Sequence, residues 1–409
     1  MRILLEPLSH VRTASIGIWF AVGSREDPQG QAGVAHLLEH LVFKGGRRYG
    51  ARLLAEAMDA LGGQFNAFTT REHTCFHART LGTRLCDALE LLMEMVVLPR
   101  CDEAEAQRER QVVLDELAMI ADDPGETAEE LLSTALWGQH PLGLPQAGTP
   151  ASVAGLDAAA LRGFHAARYV GGSCVVAAAG RFAVEDVLRT AEAGLGGLPA
   201  GVGQPARSGP APLRAALAQI RRSQQAHLCL GAPAPGQGDP LRWAAALFCS
   251  ILGGSPSSRL FQAVREDRGL CYDVGAGGTE YSDAGELAIF LSTAPTEAAL
   301  ATRLALAETR RLAAEGPTAA ELRRHQDQLV ASVHMALEGN DARMTRLGRQ
   351  AVAGLPLLPL TEVCRHIRGV TRRGLAAYAA TLGDPAGWAA AFVGPRAAAP
   401  GPWAWRDGG

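Results

Sequence analysis

The decamer VAHLLEHLVF at residues 34–43 contains neither glycine nor proline, and its apolar residues recur with helical spacing. At 100° per residue, His36, Glu39 and His40 fall on one arc of such a helix. The opposite arc is apolar and consists of Val34, Leu37, Leu38, Leu41 and Val42. The pattern therefore predicts a helix that packs one face on a hydrophobic core and projects two imidazoles and a carboxylate from the other face.

This polar arc has the spacing of a zinc site. Two histidines at positions i and i+4 can chelate one zinc ion, and a carboxylate at i+3 can reach a water on that ion. His36, Glu39 and His40 thus form an H-x-x-E-H motif, the inverse of the commoner H-E-x-x-H. A catalytic zinc site also needs a third protein ligand.

A second helix, predicted over residues 102–120 with Asp102 as its N-cap, offers that ligand. Glu109 and Glu116 are seven residues apart and nearly in line, on the same predicted face as Val112, Val113 and Ile120. Buried carboxylates are costly unless they are paired or bound to metal. The interpretation is that Glu116 is the third ligand and that Glu109 orients a histidine or a water; salt bridges to arginines are the alternative.

The chain divides into two similar halves. A stretch crowded with glycine and proline separates a catalytic half at residues 1–200 from a second half at 214–409, with the linker placed at 201–213. Each half opens with a strand, a polar loop and a helix, offset by about 210 residues, as an ancient duplication would give. We predict an α+β fold of two homologous halves, each a mostly antiparallel sheet with helices packed on it.

Composition narrows the class of protein. The 409 residues are 47% hydrophobic and 20% charged with a net charge of −3, which is typical of a globular protein and indicates neither nucleic acid nor a membrane as partner. The first residues become acidic too early for a signal peptide, so we expect a cytoplasmic location. The eight cysteines form no C-x-x-C pair, and we expect buried thiols.

With these residues assembled, the sequence resembles the pitrilysin, insulysin and mitochondrial processing peptidase family of zinc metallopeptidases, the inverzincins. Glu116 follows His40 by 76 residues and Glu109 by seven, which is similar to the spacing in that family. The segment GGQFNAFTTREHT at residues 62–74 resembles the family's edge strand that pairs with substrate.

The second half carries its own resemblance. Arg265 and Tyr272, spaced by seven residues, look like the family's substrate-binding Arg–Tyr pair. The resemblance extends over nearly the whole chain, which looks like a short bacterial-type subunit with a single pair of halves.

The resemblance implies a zinc metalloendopeptidase with one Zn²⁺ per chain, in which Glu39 is the general base. Asn66 and Ala67, together with Arg265 and Tyr272, would bind the peptide substrate. The family's chamber is built from four halves, so the resemblance implies a homodimer, or a heterodimer with a related subunit. Unfolded peptides would then be cut inside a closed dimeric chamber, with Arg265 and Tyr272 serving the partner's metal.

Two other functions stay open at this stage. The chain could be a non-catalytic scaffold subunit of the same fold, although such subunits usually lose metal ligands and this sequence keeps the full set. It could instead be a dedicated processing subunit that cuts the leader of one precursor peptide. The sequence does not identify the peptides that are cut.

Overall fold

The structure of the chain is a computed structural model, and it describes residues 1–201 and 207–396. The predicted linker at residues 201–213 therefore lies partly outside the described residues. The fold is α+β, with two five-stranded sheets and helices packed against them, which confirms the predicted fold class.

The first half contains five strands: β1 (Arg2–Pro7), β2 (Thr13–Phe20), β3 (Gln64–Thr69), β4 (Thr74–Leu81) and β5 (Cys174–Gly180). Its α-helices are α1 (Val34–Val42), α2 (Ala51–Ala60), α3 (Leu85–Val97), α4 (Glu103–Asp122), α5 (Pro124–Trp137), α6 (Pro150–Ala154), α7 (Ala158–Arg168) and α8 (Val184–Leu195).

The second half repeats the pattern with β6 (Ala216–Ile220), β7 (Ala226–Ala234), β8 (Cys271–Glu280), β9 (Gly285–Thr293) and β10 (Ala389–Gly394). Its α-helices are α9 (Arg242–Gly253), α10 (Ala298–Glu315), α11 (Ala319–Ala336), α12 (Asn340–Val352), α13 (Leu360–Gly369) and α14 (Arg372–Leu382), and a π-helical stretch spans Phe261–Glu266.

The two sheets share one topology. Their strand orders are β1-β5-β2-β4-β3 and β6-β10-β7-β9-β8, so each strand of the first sheet has a counterpart five places later in the numbering. The β1–β5 and β6–β10 pairs are parallel, and all the other strand pairs are antiparallel. This common order confirms the duplication predicted from the sequence. It also places β3 and β8 at equivalent sheet edges.

Each sheet is covered on one face by a helix from the other half of the sequence. Helix α5 packs on β7 and β10, whereas its counterpart α12 packs on β2 and β5. The first compact unit accordingly comprises, of the described residues, 1–118, 145–201 and 334–357. Among the described residues, the second comprises 119–144, 207–333 and 358–396.

These compact units differ from the contiguous halves at residues 1–200 and 214–409, because residues 119–144 and 334–357 pack with the sheet of the other half. The physical reason is that a sheet with two apolar faces must be covered on both. Strand β2 illustrates this, because its side chains from Ala14 to Phe20 are buried on both faces. An amphipathic helix of suitable length satisfies that need from any point in the chain.

The state of the cysteines and the apolar character of the helices also bear on the sequence predictions. All eight cysteines are free thiols that are buried or half-buried, as predicted. Among the described residues, the structure contains no helix that is both long and apolar enough to cross a membrane.

The packing of α12 on the first sheet predicts a steric effect at Gly348. A Cβ added there would stand 2.2 Å from Trp19 Cε2, and Trp19 is fully buried. Overpacking of this kind costs roughly 1–3 kcal/mol, so Gly348→Ala should lower the midpoint of urea unfolding.

Gly163→Ala is the matched control for this substitution. Gly163 lies within α7 on the surface of the same unit, and its added Cβ would meet nothing within 4 Å. Alanine there should stabilise the helix by up to about 1 kcal/mol. Equal midpoints for the two variants would show that α12 does not pack this closely on the sheet.

Candidate metal centre

Helix α1 folds as its sequence pattern predicts, from Val34 to Val42. Its apolar face is fully buried in the core of the first unit, whereas His36, Glu39 and His40 are only half-buried on the other face. The N-terminus of the helix is capped from outside by Asp27. The Asp27 carboxylate accepts hydrogen bonds from the Gly33 amide at 2.7 Å and from the Ala35 amide at 3.2 Å.

Helix α4 brings Glu116 against the two histidines of α1. His36 Nε2 lies 3.8 Å from Glu116 Oε1, and His40 Nε2 lies 3.5 Å from Glu116 Oε2. One ligand atom from each of the three residues falls within 4.8 Å of the others. In the part of the chain that the structure describes, this is the group of His, Cys, Asp and Glu side chains close enough to hold a metal ion.

The donor set fits zinc. Two histidines and one glutamate are an established ligand set for catalytic zinc, and they leave one coordination position open. With zinc–ligand distances of about 2.1 Å, tetrahedral ligand atoms stand about 3.4 Å apart. The histidine–glutamate separations of 3.5 and 3.8 Å are close to that value.

Glu109 lies behind the histidines. Its Oε2 stands 3.6 Å from His40 Nδ1, and its Oε1 stands 2.9 Å from Lys44 Nζ. A carboxylate on the far nitrogen of a ligand histidine fixes the tautomer and the ring orientation. The alternative from the sequence was that the glutamates form salt bridges to arginines. At the buried Glu109, the cation in contact is instead the ammonium of Lys44.

The predicted apolar face of α4 needs a correction. The buried residues of this helix are Ala106, Glu109, Val113 and Leu117, and Val112 is 47% exposed. The Glu116 side chain is 40% exposed, so only one of the two carboxylates lies on the buried face. Apolar residues flank the glutamates on both sides in the sequence, and only the packing of α4 decides which flank is covered.

Burial shifts the pKa values of two groups on α1. It lowers the pKa of His36 to about 4, helped by the neighbouring His40. His36 is therefore neutral near pH 7, which is the form that binds metal. Burial also raises the pKa of Glu39, and hydrogen bonding from Thr69 opposes the rise. A carboxylate with a raised pKa is a stronger base, as proton abstraction from water requires.

Strand β3 is the edge strand that the sequence predicts at Asn66 and Ala67. The Ala67 amide donates to the side chain of Asn66 at 2.9 Å. Helix α1 packs against β3, which ends at Thr69 beside Glu39. An exposed sheet edge and the half-buried carboxylate of Glu39 thus lie next to each other.

Arg265 and Tyr272 lie in the second unit, whereas the three candidate metal ligands lie in the first. The guanidinium carbon of Arg265 stands 5.0 Å from the centre of the Tyr272 ring and 4.6 Å from that of Phe261. Tyr272 is 78% exposed. The structure therefore brings these two residues together at a surface.

Comparison with known proteins identifies the family. Residues 2–150 match the model described as insulinase, peptidase family M16, and residues 155–329 match the model described as the M16 inactive domain. A protein of Mycobacterium tuberculosis, named an uncharacterized zinc protease, is 36% identical over 376 residues, covering 91% of this chain and 86% of the relative. The chain belongs to the M16 family of peptidases. This finding confirms the predicted family.

Other relatives of this M16 chain support the same family and the same fold. A Bacillus subtilis protein, also named an uncharacterized zinc protease, is 33% identical over 370 residues and 90% of each chain. The crystal structure of a peptidase M16 inactive domain from Pseudomonas fluorescens superposes with a TM-score of 0.89 at 26% identity, covering 96% of this chain and 95% of that one. The structure of a protease from Helicobacter pylori shares the fold, with a TM-score of 0.88, 21% identity and 96% coverage of both chains.

Sequence reasoning missed three residues of this M16 site, namely Asp27, Lys44 and Thr69. Thr69 acts through a contact between β3 and α1 that no local spacing reveals, whereas Asp27 acts through the conformation of the loop that precedes α1. Lys44 did carry a sequence signal, since it is the only lysine in the chain.

The cap on α1 generates a prediction about pH. Burial raises the pKa of Asp27 from 3.8 to about 7 despite its two amide donors. The folded chain then keeps a proton that the unfolded chain releases above pH 4, so stability falls as the pH rises through this window. In the metal-free chain, Asp27→Asn should therefore gain stability relative to wild type between pH 4 and 8.

Urea unfolding at several pH values measures that difference, with Asp59→Asn at an exposed position of α2 as the control. The control should show no comparable trend. A stability difference for Asp27→Asn that stays constant from pH 4 to 8 would mean that the two amide donors offset the burial of the carboxylate.

Proposed function

We propose that this chain is a zinc-dependent endopeptidase that binds one zinc ion through His36, His40 and Glu116. The observation that carries the proposal is the approach of both histidine Nε2 atoms to the two carboxylate oxygens of Glu116, at 3.8 and 3.5 Å. The M16 relatives named as zinc proteases support the same chemistry. When bound, the metal would polarise a scissile carbonyl and lower the pKa of a water molecule.

Glu39 is the general base of the proposed reaction. Its Oε2 atom is buried and has no hydrogen-bond partner among the described residues, so it is free to accept a proton from the attacking water. Burial raises its pKa and so strengthens it as a base. After attack, the protonated Glu39 would donate the same proton to the leaving amine.

The edge of β3 is the proposed binding surface for peptide. An extended peptide can add to an exposed sheet edge through main-chain hydrogen bonds, which require little of its sequence. Only an unfolded segment can supply such a strand. Because β3 ends beside Glu39, a peptide paired near Asn66 and Ala67 would lie along the approach to the base.

The second half is proposed to complete the site of a partner chain. It keeps the fold of the first half, yet α9 carries no H-x-x-E-H motif, and the half presents Arg265 and Tyr272 at a surface. A phenol and a guanidinium can donate hydrogen bonds to substrate carbonyls or to a developing oxyanion. A two-fold dimer would then enclose a chamber that admits unfolded peptides.

Three variants separate the roles on α1 and α4. Glu39→Gln should keep zinc but lose nearly all peptide cleavage, because an amide cannot accept the proton. His40→Ala and Glu116→Gln should lose zinc, because each removes a ligand. Elemental analysis and mass spectrometry of a digested peptide library provide the two measurements.

The outcomes distinguish metal binding from catalysis. Equal zinc in wild type and His40→Ala would refute the ligand assignment. Cleavage by Glu39→Gln at the wild-type rate would refute the general base. Wild-type protein that binds zinc and cleaves nothing would point to a missing partner or to the scaffold function.

The shared-site proposal predicts complementation between two inactive chains. Glu39→Gln is mixed with Tyr272→Phe or Arg265→Ala under conditions that allow subunit exchange. A mixed dimer would contain one site with both defects and one with neither, so about half the activity per mixed dimer should return. A monomer at working concentration, or mixtures that never recover, would contradict a site shared between chains.

A further inference from the structure

Lys44 is the only lysine in a chain whose 39 basic residues are otherwise arginines. Every other cationic position of the sequence therefore carries a guanidinium. Lysine and arginine differ in shape and hydrogen-bonding geometry, so the contacts of this one ammonium decide whether a guanidinium could replace it.

Lys44 stands directly behind the candidate metal ligands. It follows the end of α1 by two residues, and its Nζ lies 2.9 Å from Glu109 Oε1. The second oxygen of the same carboxylate lies 3.6 Å from His40 Nδ1. The three groups form a row in which Glu109 divides its two oxygens between an ammonium and an imidazole.

The loop that carries Lys44 is held in place by its own contacts. Gly45 has a φ of +116°, and a Cβ there would stand 2.3 Å from the Tyr49 carbonyl oxygen, so the turn requires glycine. The Gly46 amide donates to Tyr49 O at 2.9 Å, and the Arg100 amide donates to Gly45 O at 2.8 Å. This anchoring fixes the direction from which the lysine approaches Glu109.

The geometry favours an ammonium for a specific reason. A lysine makes a point contact with one carboxylate oxygen, whereas an arginine presents a planar fork that engages both oxygens. A guanidinium at this position would compete with His40 for Oε2 of Glu109. The ammonium neutralises the buried carboxylate and leaves that oxygen facing the imidazole.

We propose that Lys44 is a positioning residue that holds Glu109 against His40 and thereby orients His40 as a metal ligand. The proposal rests on the proposed function, because it assigns the metal to His40. Substitution of Lys44 by methionine tests the charge of this side chain, and substitution by arginine tests its shape.

Zinc affinity of the purified full-length chain, measured by competition with a chromophoric chelator, is the main test. Lys44→Met should weaken zinc binding by about tenfold, in the range found when groups behind a metal ligand are changed. Lys44→Arg should fall between Lys44→Met and wild type. Arg52→Met removes the same charge from an exposed residue of α2 and should leave the affinity unchanged.

Whether zinc affinity falls or rises in Lys44→Met distinguishes a positioning role for Lys44 from a purely electrostatic effect of its charge. Loss of a cation beside a Zn²⁺ site should tighten zinc binding through Coulomb interaction alone. Unchanged or tighter binding by Lys44→Met would overturn the proposal, and wild-type affinity in Lys44→Arg would overturn the requirement for an ammonium. Unfolding midpoints of the metal-free variants near the wild-type value would show that lost affinity is not lost folding.

A double-mutant cycle tests the route through Glu109. If Lys44 acts only through that carboxylate, Lys44→Met should cost no further affinity in a Glu109→Gln background. Additive losses in the double variant would overturn the proposed route.

Amine labelling tests the contact without metal or activity. Lys44 and the α-amino group are the primary amines of this sequence, so peptide mass spectrometry can follow Lys44 alone. Acylation of Lys44 should be faster in metal-free Glu109→Gln than in metal-free wild type, and equal rates would overturn the contact. If wild type shows this protection but binds no zinc, the proposed function fails while the Lys44–Glu109 contact stands.

Discussion

The structure depends on the way α1 lies between a hydrophobic core and a row of ionisable groups. One face of the helix is buried among apolar side chains, and the other carries two imidazoles and a carboxylate opposite two glutamates of α4. Partly buried polar groups are costly unless they satisfy one another. The histidine and glutamate atoms stand 3.5–3.8 Å apart, too far for direct hydrogen bonds, and a bound cation would complete the arrangement.

The surrounding elements hold this row of groups in position. Asp27 caps the start of α1, Lys44 follows its end and pairs with Glu109, and Thr69 reaches Glu39 from the end of the edge strand. The contact of Asp27 holds backbone amides at the start of α1, and those of Lys44 and Thr69 hold the carboxylates of Glu109 and Glu39. The proposed metal ligands and general base would need such support from rigid elements to keep a fixed geometry.

The two halves share one fold but carry different candidate functional residues. Both sheets have the same strand order, yet the motif of α1 has no counterpart in α9. Each sheet also buries a helix from the other half of the sequence, with α5 on one and α12 on the other. Because of this exchange, neither contiguous half of the sequence contains all the residues of its own core.

Periodicity in the sequence determined the local features of this protein. The i, i+3 and i+4 spacing of His36, Glu39 and His40 fixed their shared helix face, because helical geometry leaves no other arrangement. Repetition at a constant offset likewise revealed two halves of the same fold. Features within a single element were therefore predictable, including the position of Glu109 and Glu116 on α4.

Tertiary structure alone decided which elements meet. It set the face of α4 that is covered, the exchange of α5 and α12, and the contacts of Asp27, Lys44 and Thr69 with α1 and α4. Apolar faces are interchangeable at the level of sequence, since burial is non-directional and any helix of suitable length can cover a sheet. The positions of those side chains follow only when the whole core is packed.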